Sequence, residues 1–216
     1  MITSWLLITH CVAIFPISTY LWSWKRRRDP ASIFMLLKFI YCVTFSLLYH
    51  TYDVEGIVVI SDHYNNWSLL DGYSSTALIF TTTLYGLRVR PPQIYITSYA
   101  VETALLILYL FQNLWQIVTW VLILSCTIVS IFKWKTIFRY IKKYYFLSFF
   151  TLCSGITATI MYVIAVQDDN TTIIYVKHHS LWHCFIFITA GLSSILRYKL
   201  DEELYPITRR EQLDSI

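Results

Sequence analysis

Residues 25–50 read KRRRDPASIFMLLKFIYCVTFSLLYH, four consecutive basic residues followed, after Pro30, by twenty residues in which Lys38 is the only charged side chain. Twenty residues in an α-helix span about 30 Å, which is the thickness of the hydrocarbon core of a bilayer. Pro30 suits the first helical position, because its ring presets the φ angle and its missing N–H is not needed there. The stretch therefore predicts a membrane-spanning helix that begins at a basic, cytosolic loop.

The composition of the whole chain agrees with this prediction. Of its 216 residues, 56% are hydrophobic and only 14% are charged, where soluble domains average ~25% charged residues. These values exclude a soluble globular protein, a disordered chain and a small secreted disulfide scaffold. The net charge of +4 does not indicate nucleic acid as a partner, because membrane proteins concentrate Lys and Arg in cytosolic loops.

Similar apolar stretches recur along the chain, with aromatic residues such as Trp24 and Tyr145 at their ends, as is typical of membrane interfaces. They predict seven spans, at 2–23, 31–50, 67–87, 94–111, 115–132, 144–166 and 179–197. Backbone amides in lipid need internal partners, so we expect an all-α polytopic fold. The transmembrane domain is predicted over 1–198 and a polar, loosely ordered cytosolic tail over 199–216.

The basic residues predict the orientation of these spans. Fifteen of the seventeen Lys and Arg residues lie after the first, third, fifth and seventh spans, whereas the opposite loops contain only Lys177. By the positive-inside rule, the N-terminus is outside and the C-terminus is cytosolic. The predicted location is the cell membrane, as a multi-pass protein, or the Golgi.

Five polar side chains occur where three spans reach the outer surface of the membrane. Ser46 and His50 end the second span, Asp71 begins the third, and His179 and His183 begin the seventh. Residues four apart share a helix face, and ionisable residues at membrane depth are functional candidates by default.

Three imidazoles at one depth suit Zn²⁺, and we predict a metal site of His50, His179 and His183. Asp71 could act as a general base or orient a ligand histidine, and Ser46 could hydrogen-bond a water or a developing oxyanion. The alternative is a set of interfacial histidines joined only by hydrogen bonds. The remaining histidines have no predicted partner and are not assigned to the site: His10, His63 and His178.

Two charges lie deep inside predicted spans. Lys38 in the second span and Glu102 in the fourth are at similar depth from the cytosolic side, which permits a buried ion pair. The alternative is that Lys38 snorkels to the interface and that a protonated Glu102 bonds to a neighbour.

The motifs FSLLYH at 45–50, DGYSSTA at 71–77 and HSLWH at 179–183 together resemble the CREST superfamily of seven-helix membrane proteins. The myomaker branch of this superfamily has a similar first span and loop, represented here by Phe15-Pro16-Ile17-Ser18 and the basic run from Lys25. A chain that starts directly with its first span is also similar to this branch. This resemblance implies a seven-helix fold and a zinc ion. Two features depart from that branch, because Asp71 stands where its members tend to have a small polar residue and the tail lacks a cysteine cluster.

The resemblance leaves two functions open. The favoured one is cell–cell (myoblast) membrane fusion, with a structural zinc ion and an outer loop, 51–66, that meets an opposing membrane. Membrane lipids, a second copy of the chain and a fusion-partner protein are the partners it implies. The alternative is a zinc-dependent lipid amidase or esterase, of ceramidase or GPI-phospholipase type, with Asp71 and Ser46 as catalytic residues.

Overall fold

The computed structural model describes residues 4–55, 64–110, 115–166 and 173–205, and every regular element in these ranges is helical. The all-α prediction is therefore confirmed. A short 3₁₀ turn, His10–Ala13, joins the first two helices. The helices are α1 (Ser4–Thr9), α2 (Ile14–Arg27), α3 (Pro30–Glu55), α4 (Tyr64–Gly86), α5 (Pro91–Leu110), α6 (Trp115–Phe132), α7 (Trp134–Lys143), α8 (Tyr145–Val166) and α9 (Ile173–Leu204).

Four segments within the described ranges are long and apolar enough to cross a membrane. They are Trp5–Arg27, Pro30–Thr51, Tyr145–Ala165 and Ile173–Leu204. A fifth would result if α6 and α7, which meet at a bend of 73°, form one broken span. The chain thus has the helices of a membrane protein, while the seven spans and their direction stay predictions.

The turn between α2 and α3 follows from local sequence chemistry. Arg28 has a φ of 51° and its N–H donates to the carbonyl of Trp24, which ends α2 in the left-handed conformation. Asp29 then caps α3, because its carboxylate accepts from the backbone N–H of Ala31 and from the Ser32 hydroxyl, each at 3.1 Å. Pro30 begins α3, as predicted.

The main core lies where α2, α3, α4 and α9 meet. Tyr20, Phe39, Phe80 and Tyr85 are almost completely buried there, and Phe187 of α9 packs with them. The outer helices have the opposite character, since large apolar side chains such as Phe132 are exposed. Exposed apolar residues on outer helices are what lipid contact requires.

Of the two alternatives for Lys38 and Glu102, the structure contains the ion pair. The ammonium group of Lys38 on α3 contacts the carboxylate of Glu102 on α5 in an ion pair. The Ser98 hydroxyl donates to Glu102 Oε1 at 2.6 Å, and Thr81 of α4 bonds to Ser98 at 2.7 Å. The pair therefore joins three helices through satisfied hydrogen bonds.

A second charged cluster holds the other end of the bundle. The guanidinium of Arg197 contacts Asp29 at 3.4 Å, Asp201 at 3.3 Å and the carbonyl of Tyr85 at 2.9 Å. Arg88 contacts Asp201 at 2.5 Å. These contacts join the ends of α2, α4 and α9.

Two segments at this end are helical beyond the predicted spans. The predicted tail boundary at 198 falls inside α9, because Leu200 is buried and Asp201 pairs with Arg197, so the helix continues to Leu204. The basic segment after the fifth span was predicted as a loop, yet it contains helix α7. The segment has the charged and apolar faces of an amphipathic helix, and it is too short to resemble a membrane span.

Candidate metal centre

The centre is built around two histidines from helices distant in sequence. His50 on α3 and His183 on α9 are both almost completely buried, and their Nε2 atoms lie 3.1 Å apart. Two nitrogens bound to one tetrahedral zinc, each at 2.0–2.1 Å, lie roughly 3.3 Å apart. This distance between the Nε2 atoms fits two arrangements. Either one imidazole donates a hydrogen bond to the other, or both bind one metal cation.

His10, in the 3₁₀ turn after α1, is the third histidine of the cluster. Ligand atoms of His10, His50 and His183 all lie within 4.8 Å of one another. The Nδ1 of His10 is 2.7 Å from the carbonyl of Leu6, and its Nε2 is 3.0 Å from the Ser46 hydroxyl. Because a carbonyl only accepts, neutral His10 is protonated on Nδ1 and its Nε2 accepts from Ser46.

His179 is the fourth imidazole, one turn before His183 on α9. Its ring centroid lies 4.9 Å from that of His50 and 4.8 Å from that of His183. Both of its ring nitrogens are buried, and neither has a hydrogen-bond partner among the described residues. A buried polar atom without a partner costs about 1–3 kcal/mol, so His179 is the histidine most in need of a ligand.

Ser46 and Asp71 lie beside the histidines. Ser46 is one turn from His50 on α3, as predicted, and Asp71 of α4 interacts with the hydroxyls of Ser46 and Ser75. The Oδ1 atom of Asp71 is buried and has no hydrogen-bond partner in the described part of the chain. One carboxylate oxygen is thus directed into the protein interior and available to a water or a substrate group.

A cavity of about 940 Å³ reaches this cluster from the centre of the bundle. Ser46 and His183 form part of its polar end, whereas Tyr140 and Leu196 line it far from the histidines. From His183 to Leu196 the helix rises roughly 20 Å. Phe149 and Leu152 of α8 also line the cavity and are well exposed, so the cavity opens to the surroundings along α8.

His10, His50 and His183 could together hold a metal ion. Imidazole is a preferred zinc ligand, and the facing Nε2 atoms have close to the required separation. The Nδ1 atoms of His50 and His183 and both nitrogens of His179 lack partners within the described ranges. Unlike these three residues, His10 has a protein partner for each ring nitrogen.

Comparison with known families gives one match, over residues 2–184, to the family described as "Protein of unknown function (DUF3522)". The chain belongs to this family. The match covers most of the chain and ends just after His183, so it includes all four clustered histidines, Ser46 and Asp71. The curated proteins contain no match to this DUF3522 chain.

Within this DUF3522 chain, the structure brings together all five predicted site residues: Ser46, His50, Asp71, His179 and His183. The prediction that His10 has no partner is wrong. His10 is a titratable residue inside a predicted span. This position is the signal that could have identified it, because titratable residues within a membrane span are candidates for function. His178 bonds to the Ile174 carbonyl at 2.8 Å, and His63 lies outside the described residues.

Proposed function

We propose that this chain is a zinc-dependent hydrolase that cleaves an ester or amide bond of a membrane lipid. The observation that carries the proposal is the large apolar cavity that has Ser46 and His183 at its polar end. A structural zinc site is closed by its four protein ligands, whereas a catalytic site keeps room for water and substrate. A cavity beside the histidines supports the second kind of site.

The proposal includes the predicted membrane topology. Each of the seven predicted spans overlaps a long described helix, and the basic loops alternate with loops that carry few cations. We therefore retain seven spans, with the N-terminus outside and the C-terminus cytosolic. In that orientation the histidine cluster faces the outer leaflet, at the cell membrane or in the Golgi.

We assign His50, His179 and His183 as the zinc ligands. The support is that the Nε2 atoms of His50 and His183 face each other and that both nitrogens of His179 are unpartnered among the described residues. Each nitrogen of His10, by contrast, has a protein partner. His10 then has a different role: its Nε2 accepts a hydrogen bond from the Ser46 hydroxyl and fixes the direction of that hydroxyl. A zinc ion held by these three imidazoles would supply Lewis-acid chemistry, which activates a water molecule and polarises a carbonyl.

Asp71 and Ser46 are the side chains that handle protons in this proposal. The unpartnered Oδ1 of Asp71 can accept a proton from the attacking water and return it to the leaving group. Ser46 lines the cavity beside His183, and its hydroxyl oxygen can accept a hydrogen bond from the attacking water while its proton is donated to His10. The apolar walls of the cavity bind the hydrocarbon part of the substrate and exclude water.

Membrane fusion remains the other prediction from the sequence resemblance. The outer loop at 51–66 that it depends on lies mainly outside the described residues. A purely structural zinc would also need no cavity at the metal. The hydrolase is therefore the function that the described geometry favours.

The test expresses the full chain in non-fusing fibroblasts and measures cell mixing together with the turnover of labelled ceramide and labelled phospholipid. The wild-type chain and Asp71→Asn are compared at equal surface levels. Turnover by the wild type that Asp71→Asn abolishes supports the hydrolase. Cell mixing by both chains, with no turnover of either lipid, would overturn it in favour of fusion.

A further inference from the structure

Helix α7 has an unusual composition for a segment between two apolar helices. Residues 133–143 read KWKTIFRYIKK, with five basic residues and no acidic one. The α6 helix before it is largely apolar and contains no charged residue, and α7 leaves the axis of α6 at a bend of 73°. If α6 crosses the bilayer, α7 therefore lies close to the membrane plane.

The side chains of α7 separate into three faces at 100° per residue. One face is apolar and exposed, and it consists of Trp134, Phe138 and Ile141. The next face is basic and exposed, and it consists of Lys135, Arg139, Lys142 and Lys143. The third face is turned to the protein and consists of Thr136, Ile137 and Tyr140.

The third face anchors the helix to the bundle. The Tyr140 hydroxyl donates to the carbonyl of Gly86 at 2.7 Å, and Ile137 lines the cavity. Lys143 forms an ion pair with Glu203 of α9. These contacts fix the orientation of α7, so that Trp134, Phe138 and the other basic side chains are directed away from the protein, whereas Ile141 also borders the cavity.

The apolar face continues into a larger lipid-facing surface. Phe132 at the end of α6 and Tyr145 and Phe146 at the start of α8 are exposed on either side of α7. In the described part of the chain, Lys135, Arg139 and Lys142 have no carboxylate within ion-pair distance. Exposed cations beside an exposed apolar stripe fit a partner that is both anionic and apolar, although Arg139 also interacts electrostatically with Glu203.

We propose that α7 is a binding surface for anionic phospholipids of the leaflet that it contacts. Its apolar face inserts at the boundary of headgroups and acyl chains, while its basic face binds lipid phosphates. A nucleic acid or an acidic protein would satisfy the cations but leave Trp134 and Phe138 exposed to water. This inference does not depend on the hydrolase or on the metal.

The experiment uses the purified full chain in nanodiscs of phosphatidylcholine alone or mixed with phosphatidylserine, and measures amide hydrogen exchange over 133–143. A charge near an anionic surface contributes ~1 kcal/mol. Phosphatidylserine should therefore slow this exchange by roughly 10- to 100-fold. A Lys135→Gln, Arg139→Gln, Lys142→Gln variant should lose the effect.

A matched control removes three exposed or half-exposed cations from the same predicted side, in a Lys25→Gln, Arg26→Gln, Arg27→Gln variant. It should keep the lipid-dependent protection of α7. Inorganic phosphate added to phosphatidylcholine nanodiscs should give none, which distinguishes a lipid surface from a simple anion site. Equal exchange in the two lipid compositions, or equal protection by phosphate, would overturn the proposal.

Discussion

His50 and His183 face each other at 3.1 Å between their Nε2 atoms, although 133 positions separate them in the chain. The contact joins α3 to α9 inside a buried cluster of four imidazoles. Buried polar groups normally have hydrogen-bond partners, yet several ring nitrogens here have none in the described structure. A shared metal ion would bind the two facing Nε2 atoms and one nitrogen of His179, and its binding free energy would add to folding.

Removing His183 should release the metal and destabilise the chain. His183→Ala eliminates one of the two facing nitrogens, so zinc retention should fall at least tenfold. If the lost contribution is ~3 kcal/mol, the thermal midpoint of the purified protein should fall by roughly 5–10 °C. His178→Ala is the control, because His178 bonds only to a carbonyl of its own helix among the described groups, and it should change neither quantity.

Variants of His179 and His10 distinguish the third ligand from its neighbour. His179→Ala should lose zinc, because its unpartnered nitrogens indicate a ligand. His10→Phe should retain most of the zinc while slowing lipid turnover, since it removes the acceptor that orients Ser46. Zinc content and turnover are measured on the same preparations. Loss of zinc from His10→Phe alone would instead assign His10 as the ligand.

Asp71→Asn separates catalysis from metal binding. The amide has the size of the carboxyl group and retains hydrogen bonds but cannot accept a proton, so zinc should stay and turnover should fall by about 10²- to 10⁴-fold. Ser75→Ala, which removes a neighbour of Asp71, is the control and should cost much less. Turnover by Asp71→Asn equal to that of the wild type would contradict its role as a base.

The cavity predicts a size-dependent effect at Gly155. A Cβ there would meet Thr189 at an ordinary contact distance of 3.6 Å, so Gly155→Phe directs its ring into the cavity space. Turnover of long-chain lipids should fall more than turnover of short-chain lipids. Val163→Phe, on the exposed side of the same helix, should leave both rates unchanged. Equal loss for all chain lengths would argue against an acyl-binding cavity.

The ion pair of Lys38 and Glu102 predicts rescue by a charge swap. Breaking a buried pair from one side costs on the order of 3 kcal/mol. Lys38→Glu and Glu102→Lys should each reduce surface expression, and the double variant should restore most of it. A double variant as poor as the single ones would show that the interaction does not stabilise the fold.

Much of the fold could be predicted from the sequence because a bilayer imposes a simple rule. Helices need about 20 apolar residues, and each predicted span overlaps a long described helix. This length rule does not identify α7, because that helix is short and amphipathic. It also fails at Leu200, because the burial of the α9 end depends on partners from α7 and α8 rather than on local composition.

The site could be predicted where its residues share a helix face and lie at the same predicted depth in the membrane. His50, His179 and His183 follow from spacing and topology. His10 did not, because nothing near it in sequence shows that the 3₁₀ turn directs its ring toward Ser46. The cavity was equally beyond prediction, since it depends on how α4, α7, α8 and α9 pack.

The most direct test of the central claim is the zinc content of the wild-type chain, purified without chelators and measured by elemental mass spectrometry. The facing Nε2 atoms of His50 and His183, together with the unpartnered nitrogens of His179, predict about one zinc per chain. His50→Ala, prepared in the same way, should contain almost none. Less than about half a zinc per wild-type chain, or equal zinc in both proteins, would contradict the metal centre.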